Sequence, residues 1–433
     1  MKRKLLAVAL LCLSCAVGFE SAAKGLKKVS PKSVGMDAER LEKVDQLIYD
    51  AIDEGEMPGA VLAVVRGDKL AYLKAYGNKS VYPDTVPMTT NTVFDLASCS
   101  KVVGTTMSMM HLLESGGYRL ADKVSQYIPN FQPYVDPETG EKTDIRIIDL
   151  LTHTSGLPAY ASVDKVIETY GKADPDSLMS YICTMPRGFK PTTKYRYSCL
   201  NFITLQNILQ RITGERLCDY AQKNIFDKLE MEHTTYCPKA FGKTEIMQLV
   251  APTEKQTDGS VLLGETHDPL ARLLNFGNSG NAGVFSSAED LAVLCAALLN
   301  GGEINGKRVL GKLTVDAMLR EPEDTKGIGH TLGWVSYSEN TMNLLHPEFT
   351  VGHTGYTGTQ IIIDPVNDVA IILLAHRVHP VDKGNLAPLR GKVANVVAGS
   401  IVKYYCPLKT CIPSQLAEID KLGVIFISDK PLL

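Results

Sequence analysis

The sequence has no basic stripe. Its 45 Lys and Arg stand against 48 Asp and Glu, spread along the chain, for a formal net charge of −3. That balance argues against a nucleic-acid partner. Beyond the N-terminal segment, no apolar run is long enough to cross a bilayer. None of the ten cysteines is joined by nearby histidines at metal-ligand spacing, so no metal site is expected. There is no G-x-S-x-G, which excludes the usual nucleophile elbow. The loop Gly277-Asn278-Ser279-Gly280-Asn281-Ala282-Gly283 lacks the Gly-Lys-Ser/Thr ending of a phosphate loop. No internal repeat and no long linker divide the chain. What remains is 433 residues that are 45% hydrophobic, enough for a large core. Length alone allows two or three domains.

The N-terminus has the pattern of a leader. Lys2, Arg3 and Lys4 form a basic head, Leu5 to Phe19 is uncharged and mostly apolar, and Ser21-Ala22-Ala23 offers small residues for cleavage after Ala23. Export of a mature protein, to the periplasm or envelope, is therefore expected. Cys15 is a candidate for lipid attachment and so for a membrane tether, although Cys12 stands three residues before it where an aliphatic residue is usual. The eight cysteines outside this segment are scattered and give no disulfide framework; Cys406 and Cys411 are placed to close a small loop.

Hydrophobic spacing orders the rest. Asp37 to Glu54 has helical character, and Gly59–Val65 with Lys69–Tyr76 reads as a hairpin across Arg66-Gly67-Asp68. Phe94 to Ser115 reads as mostly helix. Ile145–Thr152, Asn201–Thr213, Arg216–Leu229 and Glu289–Leu299 carry helical spacing, the last opening on a capping box, Ser286-Ser287-Ala288-Glu289. Short β-rich runs follow at Gly333–Tyr337, Phe349–Gly352, Thr359–Asp364 and Val369–Ala375, and Leu389–Tyr404 is a closing helix. The order predicts an α/β (α+β) fold in which a mainly helical region, about 96–329, is inserted into a sheet built from about 30–95 and 330–405. Residues 406–433 form a tail without a readable pattern.

Three short groups carry chemistry. Ser98-Cys99-Ser100-Lys101 places a hydroxyl and an amine three residues apart, on one helix face. A serine hydroxyl needs a proton acceptor, and a desolvated lysine of lowered pKa is one. The same spacing at Ser21/Lys24, Ser162/Lys165 and Ser400/Lys403 shows how little it says alone. Only Ser98 follows a turn-rich stretch and opens an apolar helix, whose N-terminal N–H groups favour an oxyanion. Tyr197-Ser198-Cys199 puts a phenol, a proton relay, just before a helix. His353-Thr354-Gly355 ends a β-rich run, where glycine lets a substrate lie close to the backbone. The N–H groups of Ser98 and Tyr356 are candidate oxyanion donors. His153-Thr154-Ser155-Gly156 reads as a structural turn. His267-Asp268 is a candidate pair in a loop, with no serine elbow to serve.

Taken in order, these groups resemble the serine β-lactamase and penicillin-binding-protein family, which includes DD-peptidases and related esterases. The likeness extends to Val93-Phe94-Asp95-Leu96-Ala97-Ser98, to Leu150–Leu157, to Asn281–Leu291 and to Gly352–Thr359, and covers roughly residues 30 to 405. It implies a β-lactamase/transpeptidase-like antiparallel sheet flanked by helices, with the active site at the junction. It implies acyl transfer through Ser98, with Lys101 and Tyr197 as partners and Cys199, His353, Thr354 and Gly355 lining the substrate. No cofactor is implied, and the expected partner is a small molecule or a peptidoglycan-derived peptide. Cys199 stands where the family often has Asn, and His353 where many β-lactamases have Lys. Both departures point toward a DD-peptidase or an esterase of small esters, ahead of a β-lactamase. A non-catalytic, penicillin-binding-like sensor is the reading from another class.

Overall fold

The computed structural model describes residues 25–403. The leader with Cys15, the pair Cys406 and Cys411, and the tail 406–433 lie outside them. The eight-stranded main sheet takes two long strands from the start of the chain, with two-residue strands Lys27–Lys28 and Val86–Pro87 pairing onto the second of them, and four from its end. The two long strands are β1 (Gly59–Arg66) and β2 (Lys69–Ser80), the predicted hairpin. A small separate sheet holds β3 (Val93–Asp95), β4 (Thr235–Tyr236) and β5 (Val284–Ser287). The last four strands of the main sheet are β6 (Val335–Ser336), β7 (Val351–Thr354), β8 (Gln360–Asp364) and β9 (Val369–Ala375). Their spatial order is β2-β1-β9-β8-β7-β6, all antiparallel, with a two-residue edge strand, Lys27–Lys28, running parallel to β2.

The central strands β1 and β9 are buried along their whole length. Strand side chains alternate between faces, and here both faces are covered. Val61, Ala63, Val65, Ile361, Ile363 and Ile372 join the core beneath the helical region. Leu62, Val64, Ile362, Ile371 and Leu373 join a second core under α1 (Val44–Asp53) and the closing helix. This is why both strands read as unbroken apolar runs. Each buried Val, Leu or Ile contributes about 1.5–3 kcal/mol. The helical region centres on α2 (Cys199–Thr213), while α3 (Ala288–Leu299) lies against β1 and β9. The closing helix is α4 (Ala387–Ser400). The two ends of the described chain meet: Asp37 N–H donates to Ser400 O at 2.7 Å, and Val402 N–H to Gly35 O at 2.9 Å.

Several boundaries differ from the sequence reading. Phe94 is not helical: Val93–Asp95 pairs with Phe285–Ser287, a partner about 190 residues away that local periodicity does not register. The cap of α3 sits one residue late, with Ser287 accepting from Asp290 N–H at 3.2 Å, while the Ser286 hydroxyl is engaged with Thr234 Oγ1 at 2.7 Å. Asp37–Glu54 breaks into Ala38–Leu41 and α1.

Candidate functional site

The turn into Ser98 is tied on all sides. Ala97 has a φ of 45°, a costly value for a residue with a side chain. Its N–H is held by Asp95 Oδ1 at 2.8 Å. The Asp95 and Leu96 carbonyls accept from Thr357 Oγ1 at 2.8 Å and Thr359 Oγ1 at 2.9 Å, which staple the turn to the β7–β8 connection. From α4, Arg390 Nη2 donates to the Gly355 and Thr359 carbonyls at 3.1 and 3.0 Å. A Cβ on Gly355 would overlap Thr359 Oγ1 and the Leu96 carbonyl, so only glycine lets β7 approach the Ser98 turn this closely. The Tyr356 N–H that follows has no hydrogen-bond partner among the described residues. Ser98 lies in the first turn of its helix, where N–H groups lack intrahelical partners.

After this turn the helix widens into a π-helical stretch, Lys101–Thr106, before becoming regular at Met107. Lys101 is fully buried. Its Nζ donates to Asn281 O at 2.8 Å and to Ser98 Oγ at 3.1 Å, and lies 3.6 Å from Cys199 Sγ. It also sits 5.0 Å from the Tyr197 ring centroid and 5.8 Å from that of Phe202, favourable positions for a cation. Burial works against the ammonium. Attraction to the ionised forms of Cys199 and Tyr197, and to Asp268, outweighs it and leaves the Lys101 pKa above the ordinary lysine value. This corrects the expectation of a lowered pKa: the site replaces water with polar partners as well as removing it. Burial also raises Tyr197, while its contacts with Lys101 and Ser98 pull it back.

The structure thus brings Ser98, Lys101, Tyr197 and Cys199 around one amine. The third group divides by strand alternation. Thr354 is exposed, and Gly355 lies beside the Ser98 turn. His353 turns inward, its ring centroid 6.1 Å from that of Tyr197, with Nδ1 donating to Thr354 O at 2.9 Å and Nε2 buried without a partner. Burial, and then the Lys101 charge, push His353 down to about 3, so its imidazole is neutral. It therefore packs beside Tyr197 and is buried.

Sequence reasoning missed three supports. His153, read as part of a turn, packs its ring 4.7 Å from that of Tyr197. Its Nδ1 accepts from Ser198 N–H at 3.1 Å and Asn201 Nδ2 at 3.0 Å, fixing the start of α2. His330 stacks edge-on against His153 at 4.8 Å. The loop 277–283, distinguished in the sequence only by lacking a phosphate-loop ending, supplies the Asn281 carbonyl that holds Lys101. The segments holding His153 and Asn281 stood out in the sequence as family landmarks, without a role for either residue. Among the described residues no cluster suits a metal ion.

A family model described as Beta-lactamase matches residues 44–395 of this chain. A protein of Escherichia coli (strain K12) described as "Putative D-alanyl-D-alanine carboxypeptidase" is 33% identical over 407 residues, covering 88% of this chain and 92% of the relative. A Salmonella typhi protein of the same description is 33% identical over 402 residues, with the same coverage. Among solved structures, EstCE1, a hydrolase with promiscuous acyltransferase activity, superposes with a TM-score of 0.66 at 20% identity over 84% of this chain and 99% of its own. A class C beta lactamase from Rhodobacter sphaeroides gives 0.63 at 21% identity, covering 84% and 100%. The octameric penicillin-binding protein homologue from Pyrococcus abyssi gives 0.63 at 20%, covering 84% and 79%. At these identities the structures speak for the fold.

Proposed function

This chain belongs to the beta-lactamase family and is a serine hydrolase, and on that premise we propose that it hydrolyses D-amino-acid peptides of the cell envelope through a Ser98 acyl-enzyme. The observation that carries the reading is the single buried amine of Lys101, which reaches Ser98 Oγ at 3.1 Å while resting against Tyr197 and Asn281 O. Ser98 Oγ attacks the substrate carbonyl. Its proton passes to the Lys101–Tyr197 pair, which must have lost one proton beforehand and titrates as a unit. The N–H groups of Ser98 and Tyr356 take the oxyanion. Tyr197 returns a proton to the departing amine, and water then attacks the ester and frees Ser98. The relatives' description as D-alanyl-D-alanine carboxypeptidases supports a peptide ending in two D-alanines. The leader pattern at Lys2–Ala23 supports a site of action outside the cytoplasm.

Small esters are the second reading. The observation favouring them is the Cys199 thiol where a peptide-binding amide is usual, beside a His353 that carries no charge. The test is D-alanine release from a peptide ending in D-alanyl-D-alanine, beside hydrolysis of a p-nitrophenyl ester, by the native chain and Ser98→Ala. Release by the native chain alone supports the peptidase. Ester hydrolysis without D-alanine release moves the assignment to an esterase, and turnover of either substrate by Ser98→Ala overturns the nucleophile. Intact mass after penicillin treatment adds a third arm: a lasting adduct supports the peptidase pocket, and rapid drug consumption supports a β-lactamase.

A further inference from the structure

Asp268 stands just outside the site described above, and three hydrogen bonds to its carboxylate hold it there. Its Oδ1 accepts from Ala271 N–H at 2.8 Å and from Asn281 Nδ2 at 3.1 Å. Its Oδ2 accepts from Tyr160 Oη at 3.0 Å. One step on, Ser279 Oγ donates to Asn281 Oδ1 at 2.7 Å. Asn281 is fully buried, and both ends of its side-chain amide are now engaged. Its backbone carbonyl is the acceptor for Lys101 Nζ. The carboxylate has no ion-pair partner among the described residues, so neutral donors alone stabilise its charge. Such an anion projects its field onto nearby cations, and Lys101 is a fully buried one.

We infer that Asp268 is a positioning residue for the Ser98 reaction: it locks Asn281 so that the carbonyl grips Lys101, and its charge holds Lys101 as an ammonium. The inference rests on the roles given above to Ser98, Lys101 and Tyr197. Asp268 touches none of the three, so it is not itself a catalytic residue. The direction agrees with its place among the groups that raise Lys101 and Cys199. Other groups share the field. Cys199, Tyr197, His153 and His353 face Lys101, Tyr160 and Asp95 face Asp268, and His267 faces Asp95. His267 is itself directed at Glu254, 3.1 Å away, and burial is the first influence on the other six, in each case disfavouring the charged form. Tyr160 is 40% exposed and hydrogen-bonded to Asp268, so the strut runs from the protein surface to the amine.

Two substitutions separate strut from charge. Asp268→Asn keeps an oxygen for Ala271 and Asn281, and the Tyr160 hydroxyl can turn to accept from the new amide, so the charge alone is lost. Asp268→Ala loses both. The readout is the second-order rate of labelling by a fluorophosphonate as a function of pH, which needs no knowledge of the substrate. In that reaction the Ser98 O–P bond forms, the P–F bond breaks, fluoride leaves, and the serine proton goes to the Lys101–Tyr197 pair. Asp268→Asn is expected to move the rising limb to lower pH by about half a unit or more, with the probe's apparent binding constant unchanged. Asp268→Ala is expected to slow the bound-probe step about tenfold at every pH. Thermal unfolding confirms that both variants are folded. A native pH profile in both overturns the inference, as does a uniform slowing by Asp268→Asn with no shift of the limb. Ser98→Ala is the control: labelling that persists there overturns the Ser98 reading itself, an outcome distinguishable from the other two.

Discussion

At the scale of single residues, the site is a neutral setting around one amine. Cys199 is the clearest departure from the family pattern, since a thiol is a weak donor where an amide would give a full hydrogen bond to a substrate carbonyl. It lies at the first position of α2 with its sulfur 3.6 Å from Lys101 Nζ. Cys199→Asn is therefore expected to raise kcat/KM for an amide or β-lactam substrate roughly fivefold, the equivalent of about 1 kcal/mol for one added hydrogen bond. Steady-state kinetics on a peptide and a penicillin check this. A fall on both substrates would show that the amide displaces Lys101 instead of reaching the substrate. Residue identity made Ser98, Lys101 and Tyr197 legible, because their chemistry resides in side chains at fixed spacing. The Asn281 carbonyl was not legible, because every residue has one and only the fold decides which carbonyl faces a lysine.

At the scale of elements, β7 and the Ser98 turn form one unit, held by two threonines from β7's own connection and by Arg390 from α4. Gly355 is the contact point. Gly355→Ala is expected to push the Tyr356 N–H away from Ser98 and to lower kcat about 100-fold, the scale of one lost oxyanion donor. Circular dichroism should remain native while activity falls; native kcat would overturn the assignment of Tyr356 to the oxyanion. The strands that sequence reading recovered best, Gly59–Arg66 and Val369–Ala375, are those buried on both faces, where hydrophobicity and β-branching agree. It failed at Phe94, where the pattern suited a helix and a distant strand took the backbone instead. The π-helical stretch after Lys101 left no trace in the sequence, since one extra residue per turn barely alters apolar spacing. His153 was legible as a turn, and its positive φ of 57° agrees, but its stacking on Tyr197 depends on a helix that begins 46 residues later.

At the scale of the whole molecule, buried histidines set the response to acid. His330 is pushed down to about 4, His353 and His376 to about 3, and His153 well below its ordinary value, in each case first by burial. All four stay neutral in the folded chain and bind protons near pH 6.5 once unfolded. Their contribution is therefore complete above about pH 6.5 and is lost as the pH falls toward 4, at on the order of 1 kcal/mol per histidine per pH unit. Asp290 and Asp368, raised to about 6 by burial, act in the opposite sense over part of that range, as do Asp95 and Asp149, but His111 and His379 are also lowered by burial, so six histidines stand against four carboxylates. A net stability of about 5–15 kcal/mol cannot absorb such a slope for long. The Tm is expected to drop steeply between pH 6.5 and 4.5, and an unchanged Tm across that interval would refute the argument. The same sheet that buries these groups also constrains how the chain assembles. Its middle pair, β1 with β9, joins residues some three hundred positions apart, so a growing chain leaving the ribosome holds the β1 edge of its hairpin unpaired until β9 has emerged. With Gly35 and Val402 already in hydrogen-bond contact, a circular permutant of residues 25–403, joined beside that contact and opened at a surface turn, would make that long-range pair a local one and let the sheet close early.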